Sequence, residues 1–260
     1  MVAEREAVAA LPWYHVFELP GGVTTNGYYD LRRVVDRILP ADLSGKRCLD
    51  AATASGFYAF EMERRGAAEV VAIDLDRVED RDYQLPLTAK PQRNATADSF
   101  AYAKDVLGSK ATRIGCSLYD ASPEQLGTFD FVFVGSVLLH LRDPVRALRA
   151  LRTVTGGTLR SYGVHLLAAS LLHPHRPVAV LARQDDSRWW TPNRAAHRRW
   201  MTAAGFEVTG SSGWTFQPFG PLATGGQSVR SWARNAWRLN RLGERFVGVP
   251  SGWFDGRPAT

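Results

Sequence analysis

A strand-like run, Arg47-Cys-Leu-Asp-Ala51, carries an acid, Asp50, near its end and passes directly into the small residues Ala52-Thr-Ala-Ser-Gly56. A helical stretch and a second strand-like run, Val70-Val-Ala-Ile-Asp74, then complete one βαβ unit. No other stretch constrains the fold as much. Small residues let backbone N–H groups approach a ligand closely, and a carboxylate at the tip of the second strand is placed to accept both hydroxyls of a ribose. The spacing decides which nucleotide is expected. A dinucleotide fingerprint has small residues at its first, third and sixth positions, the last for close helix–strand packing. Here Ala52, Ala54 and Gly56 fall at the first, third and fifth, and the sixth is the bulky Phe57, which disfavours an NAD-dependent oxidoreductase.

Further along, β-like and α-like segments alternate. Strands are expected at 47–51, 70–74, 113–117, 129–134, 158–164 and 206–210, with a last one within 246–254. Helices are expected at 30–39, 56–65 and 97–107, the last closed by Gly108. Two more begin at Asp143-Pro144 and at Thr191-Pro192-Asn193, where cap chemistry is in order. This alternation predicts an α/β, doubly wound, Rossmann-like seven-stranded mostly parallel sheet with right-handed crossovers. Residues 1–40, aromatic-rich and broken by Gly and Pro from residue 11, read as an N-terminal cap on a domain spanning 41–260. Residues 165–190 are too long for an ordinary connection after strand five and read as an insertion that shapes the crevice. Residues 228–245 read as a basic helical segment, with Arg230, Arg234 and Arg238 in one row.

Charge is unevenly spread. Residues 1–139 carry 15 Lys+Arg against 20 Asp+Glu, and residues 140–260 carry 17 Arg against 6 acids. The second half is thus a candidate surface for an anionic acceptor or for nucleic acid, the alternative being a solvated basic face. No apolar run approaches a membrane span, and the N-terminus carries acids and no apolar signal core, so a cytoplasmic protein without a membrane partner is expected. Two cysteines, Cys48 and Cys116, each just inside a strand, build neither a disulfide framework nor a zinc site. His165, His173 and His175 lack the carboxylate or cysteine company of a metal site.

Several segments together resemble the class I S-adenosylmethionine-dependent methyltransferases, in the branch of the bacterial tRNA wobble-uridine carboxymethyltransferase. They are Trp13-Tyr-His15, the stretch from Cys48 to Gly56, Phe129-Asp-Phe-Val-Phe-Val-Gly-Ser-Val-Leu-Leu-His140, Arg142-Asp-Pro144, and Trp189-Trp-Thr-Pro-Asn193 continuing to Phe206. The resemblance spans about residues 12–210 and implies S-adenosylmethionine as cofactor. It places Asp50, Ala52, Ala54 and Gly56 in motif I, Asp74, Leu75 and Asp76 around the ribose, Leu118 and Tyr119 near the adenine, and Gly135 at the tip of strand four. Two departures stand out. The tRNA enzyme has a tyrosine where this chain has Leu139, and its lysine-bearing N-terminal extension has no counterpart here. Both help hold the extra carboxylate of its modified cofactor, so ordinary methyl transfer to an O, N or C atom of a small molecule or RNA is expected.

Such chemistry asks the protein to align the acceptor, exclude water and remove a proton. His140, just past strand four, is the first candidate base, with helix capping as its structural alternative. His15 is the second, with lid anchoring as its alternative. Tyr28, Tyr29, Trp189 and Trp190 are candidates for an apolar wall beside a sulfonium, or for plain core. The competing function is a catalytically silent Rossmann-type module that binds RNA through its basic half.

Overall fold

The computed structural model describes residues 2–82, 96–182, 187–224 and 248–259; the expected basic segment at 228–245 lies outside them. Helix α1 (Val2–Ala10) and a ribbon of β1 (Glu18–Leu19) with β2 (Val23–Thr24) come first. An alternating series follows: β3 (Arg47–Ala51), α2 (Phe57–Arg64), β4 (Glu69–Asp74), α3 (Ala97–Leu107), β5 (Thr112–Gly115), short α4 (Pro123–Leu126), β6 (Phe129–Gly135), α5 (Pro144–Thr153) and β7 (Thr155–Val164). The insertion contributes α6 (Leu167–Leu172) and a ribbon of β8 (Ala179–Leu181) with β9 (Trp190–Pro192). The chain closes with α7 (Arg194–Ala203), β10 (Phe206–Ser211), β11 (Thr215–Gln217), α8 (Pro221–Thr224) and β12 (Val249–Pro258).

The main sheet runs β10-β12-β7-β6-β3-β4-β5, the seven expected strands, and β11 adds an eighth beside β12. All neighbours from β7 to β5 are parallel, and β12 runs antiparallel to β7 and β10. Because β4 and β5 lie to one side of β3 while β6 and β7 lie to the other, the winding reverses there. A crevice therefore opens at the carboxyl ends of β3 and β6, where open α/β sheets bind ligands. Strand β6 shows how sequence produces the layers. Its alternation sends Phe131 and Phe133 into one core with Tyr58, Phe60 and Met62, and Val132 and Val134 into the other with Leu148, Leu151 and Met201. Each such side chain contributes roughly 1.5–3 kcal/mol on burial.

The first cap acts as the sequence proposes, and the second lies two residues later than its Thr-Pro signature. Asp143 Oδ1 accepts the Arg146 N–H at 2.9 Å with Pro144 in the first turn. At α7 the cap is Asn193, whose Oδ1 accepts from Ala196 at 2.8 Å, while Thr191 and Pro192 belong to β9. The same side chain donates to the carbonyls of Ala169, His173 and Arg176, which ties the insertion to α7.

Three expectations are corrected. The helix at 30–39 is reduced to a 3-10 turn at Val35–Arg37, although Leu31, Val35, Ile38 and Leu39 are buried as its spacing required. Asp30 takes the Arg32 N–H (3.3 Å) and guanidinium (2.7 Å), and the β-branched Val34 and Val35 both donate to Leu31 O, so local bonds replace the helical ladder. Strand five starts at Thr155 and passes through Gly156-Gly157, because Gly157 lies so close to the Asp130 carbonyl that a Cβ would collide with it. The last strand extends to Pro258, four residues beyond expectation, by pairing with β10.

Candidate active site

The turn after β3 holds alternating left-handed residues: Ala52 (φ 66°), Ala54 (φ 50°) and Gly56 (φ 93°). Each alanine pays about 1–2 kcal/mol for this conformation. The surroundings over-determine it. Ala52 and Thr53 N–H both donate to Ile73 O (2.9 and 3.0 Å), Thr53 Oγ1 donates to Asp50 Oδ2 (2.7 Å), and Ala54 N–H donates to Asp74 Oδ2 (2.7 Å). Gly56 has no substitute, since a Cβ there would lie 2.6–2.7 Å from the Phe60 and Phe100 rings.

Asp50 and Asp74 sit on neighbouring strand tips. Burial pushes the Asp50 carboxyl up to about 7, with the nearby Asp74 adding to the rise, and burial also raises Asp74. Asp74 Oδ1 accepts the Leu75 N–H at 2.8 Å. Each Asp74 oxygen thus accepts one fixed bond and has a further lone pair to offer, a donor-seeking pair suited to the vicinal hydroxyls of a ribose. Asp76 is engaged differently: Arg113 Nη1 donates to its Oδ1 at 2.5 Å, next to Gly115.

On the expected adenine side, Leu118 is buried and Tyr119 belongs to a latch that the sequence did not reveal. The Tyr119 hydroxyl donates to Asp82 Oδ2 (2.7 Å) and accepts from Asp143 N–H (3.1 Å); Asp82 Oδ2 also accepts the Arg142 N–H (2.7 Å). Trp189 Nε1 donates to the Asp82 carbonyl at 2.5 Å, with the Arg142 guanidinium over its ring. Asp82 so joins the loop after β4 to the start of α5 and to the insertion. Trp189 and Trp190 serve this latch, Trp190 through a bond to Arg142 O, and Tyr29 stacks on Phe219, so the expected aromatic wall is divided between two regions.

His15 comes to the turn. Its N–H and that of Tyr14 point to Ser55 Oγ at 3.4 Å, and its ring touches Tyr14, Phe57 and Tyr58. Burial lowers its pKa to about 3. His140 ends a 3-10 turn after β6, and its Nδ1 lies 3.0 Å from Ser187 O, so the N–H sits on Nδ1 and the ring is hooked to the insertion side. Gly135 marks the tip of β6 and is followed by Ser136, a third left-handed non-glycine residue. Leu139 lines a small pocket with Ser136, Leu138, Pro192, His197 and Trp200.

Two groups escaped the sequence reading. Tyr58 and Tyr162 are buried phenols on the same face of the sheet, legible only once β7 is registered opposite Gly135. Ser161, His197 and His165 form a buried chain, with Ser161 Oγ 2.7 Å from His197 Nε2 and His197 Nδ1 2.9 Å from His165 Nε2. Burial keeps both imidazoles neutral, His197 at about 3 and His165 well below its ordinary value. Among the described residues no three His, Cys, Asp or Glu groups are placed to hold a metal, and no helix is long and apolar enough to cross a membrane.

Several arginines of the basic half make internal contacts, although Arg142, Arg146 and Arg149 stay exposed. Arg149, Arg152 and Arg194 donate to main-chain carbonyls, Arg160 pairs with Asp255, and Arg142 and Arg146 lie over Trp189 and Tyr119.

A parallel sheet that reverses its winding at β3, acids at the tips of β3 and β4, and the antiparallel β12 between β7 and β10 define a class I methyltransferase-type domain. Residues 24–210 match the methyltransferase-domain family, and the chain belongs to that family. It is similar to the tRNA U34 carboxymethyltransferase of Pseudomonas paraeruginosa, 30% identical over 175 residues covering 65% of this chain and 48% of that protein. The corresponding protein of Saccharophagus degradans is 26% identical over 216 residues, covering 78% and 58%. The chain spans about half the length of the curated relatives it matches. In fold it is similar to the N-terminal domain of EvdMO1 with SAH bound, with a TM-score of 0.56 at 14% identity over 98% of this chain and 94% of that one. It is likewise similar to the [4+2]-cyclase SpnF, with a TM-score of 0.55 at 18% identity over 90% and 88%. A cyclase and an SAH-binding domain on one fold mean that the reaction has to be argued from the site.

Proposed function

We propose that this chain is an S-adenosylmethionine-dependent methyltransferase that transfers an ordinary methyl group. The carrying observation is the turn itself. Two alanines are held in the conformation a glycine-rich cofactor loop needs, and the second is bonded to the acid that would receive the ribose. When bound, the cofactor supplies a methyl group already activated by a sulfonium. Asp74 would accept the ribose hydroxyls, Asp50 would face the charged methionine end, and Leu118 with the latched Tyr119 would border the adenine. Residues 1–40 and the 165–190 insertion would cover the two sides of the crevice and exclude water, with His140 or His15 orienting the acceptor.

Transfer of a plain methyl rather than a carboxymethyl group is supported by Leu139. Its side chain is buried, and none of the residues lining its pocket carries a charge at neutral pH that could pair with a second carboxylate. Titration calorimetry of the full chain with S-adenosylhomocysteine tests the reading. Micromolar affinity, lost in Asp74→Ala, is expected, and no detectable binding at millimolar ligand would remove it. Acceptors of both kinds, small molecules and RNA, fit the family.

A further inference from the structure

The insertion after β7 carries the most exposed apolar side chains of the described structure. Leu171, Leu172, Val180 and Leu181 are 64%, 75%, 51% and 56% exposed, and among the described residues Leu107 alone joins them as an exposed large apolar side chain, at 38%. Apolar groups gathered on one surface feature point to docking of another surface there.

The backbone of the same segment shows how a second strand would seat. In the β8–β9 ribbon, Asn193 N–H donates to Val178 O and Ala182 N–H to Trp189 O, both at 2.8 Å. With Val180 opposite Thr191, these bonds turn residues 178, 180 and 182 toward β9, so Ala179 and Leu181 direct their N–H and C=O groups away from it. Among the described residues nothing pairs with that outer edge. The other edge of the ribbon is closed: Pro192 has no N–H to offer, and its carbonyl accepts from Leu166 N–H at 2.8 Å. Native sheets blunt a free edge with a charge, a proline or a bulge. Strand β8, Ala-Val-Leu, has none of these and is exposed at all three residues.

We infer that β8 is the contact through which two copies of this chain associate, pairing antiparallel about a two-fold axis at Val180. About that axis Ala179 of each copy faces Leu181 of the other, so the outward residues exchange four hydrogen bonds and no outward group is left over. Val180 meets its counterpart as a non-hydrogen-bonded pair, where side chains approach most closely, and β8 carries no charge to repel it. This self-complementarity favours a second copy over a foreign strand. Ten of the eleven residues from 171 to 181 are exposed, against about 20–30 residues a side in a standard stable interface. The association is therefore weak, with Kd on the order of 1–100 μM. Strand β9 follows Trp189, whose N–H donates to Leu139 O at 2.7 Å, so the joined ribbons brace the insertion wall of each crevice. The inference is independent of which cofactor the crevice holds.

Sedimentation velocity of the full chain between about 1 and 200 μM should show monomer giving way to dimer. Val180→Lys sets like charges opposite each other and Leu181→Pro removes an outward N–H, and each should raise Kd at least about tenfold. The parent's Tm at the lowest concentration is the fold control; should Leu181→Pro melt lower, Val180→Lys decides. Val180→Cys should crosslink to itself under mild oxidation at least about tenfold faster than Arg176→Cys, because a non-hydrogen-bonded pair brings Cα atoms to about 4.5 Å, within disulfide reach. Cys48 and Cys116 are buried and do not compete. A chain still monomeric at the highest concentration would leave the edge to a foreign strand and overturn the proposal. A dimer that Val180→Lys does not weaken, or that Arg176→Cys captures as fast as Val180→Cys, overturns it equally.

Discussion

Replacing Ala52 and Ala54 by glycine should stabilise this protein, contrary to the usual effect of adding glycine. The left-handed backbone costs an alanine about 1–2 kcal/mol relative to glycine, and both residues occupy it, at φ 66° and 50°. Against that stands the extra freedom glycine gives the unfolded chain, about 0.4–1 kcal/mol per site. The net gain is therefore between about zero and 1.6 kcal/mol per site, and the two sites couple because they share one turn. For a chain of this size each kcal/mol moves Tm by about 2–4 °C, so the double variant, at the middle of the summed range (about 1.6 kcal/mol), should melt roughly 3–6 °C higher. Gly56→Ala should do the reverse, losing more than about 2 kcal/mol, because its Cβ would meet the Phe60 and Phe100 rings at 2.6–2.7 Å. Differential scanning calorimetry checks both signs. A double variant melting below the parent's Tm would refute the assignment of strain to this turn. S-adenosylhomocysteine affinity provides a second readout: a change within about threefold means that the backbone already presents its N–H groups correctly. A gain above about tenfold would show that the two methyl groups obstruct the crevice.

Acid should unfold the protein early. His15 and His197, lowered to about 3, and His165, lowered well below its ordinary value, bind protons only when unfolded, so their contribution is present above about 6.5 and is lost as pH falls. Asp50, raised to about 7, and Asp74, also raised, act in the opposite sense, and with three histidines against two carboxyls the balance is a net loss of stability as pH falls below about 6. Urea melts at pH 7, 6 and 5 measure this slope; equal midpoints would contradict it, and His197→Phe should flatten it. Asp82→Ala should open the latch, weakening S-adenosylhomocysteine about three- to tenfold and exposing residues 77–82 to proteolysis; unchanged affinity would make the latch irrelevant to cofactor binding. If RNA is the acceptor, its affinity should fall steeply with added salt, because Arg142, Arg146, Arg149, Arg198 and Arg199 are exposed cations. A flat salt response in filter binding would count against an RNA acceptor.

The fold was legible where local signals agree with the layers they build. The β3-turn-α2-β4 unit, the caps Asp143 and Gly108, and the doubly buried β6 all follow from hydrophobic period and end chemistry, and the doubly wound class follows from the alternation of strands and helices. Local reading failed where tertiary contacts choose among local options. The apolar spacing of 30–39 fits a helix, but Asp30 and the Leu31 carbonyl redirect its bonds; Gly156-Gly157 reads as a turn, but β6 draws it into the sheet. The juxtaposition of Asp50, Ala52, Ala54, Gly56 and Asp74 was legible because they share one contiguous unit. Tyr58, Tyr162 and Asp82 were not, because their roles arise from partners as much as 107 residues away, as for Trp189 and Asp82.

The three described non-glycine residues with positive φ, Ala52, Ala54 and Ser136, all lie at the carboxyl ends of β3 and β6, on the two rims of the crevice. Elsewhere the left-handed positions among the described residues are glycines. Strain of this kind persists only where surrounding bonds enforce it, here Asp74 Oδ2 on Ala54 and the Tyr162 carbonyl on Ser136. Left-handed strain in non-glycine residues is thus gathered on the two rims of one crevice, which is what a pre-organised binding site produces and a purely structural βαβ unit does not require.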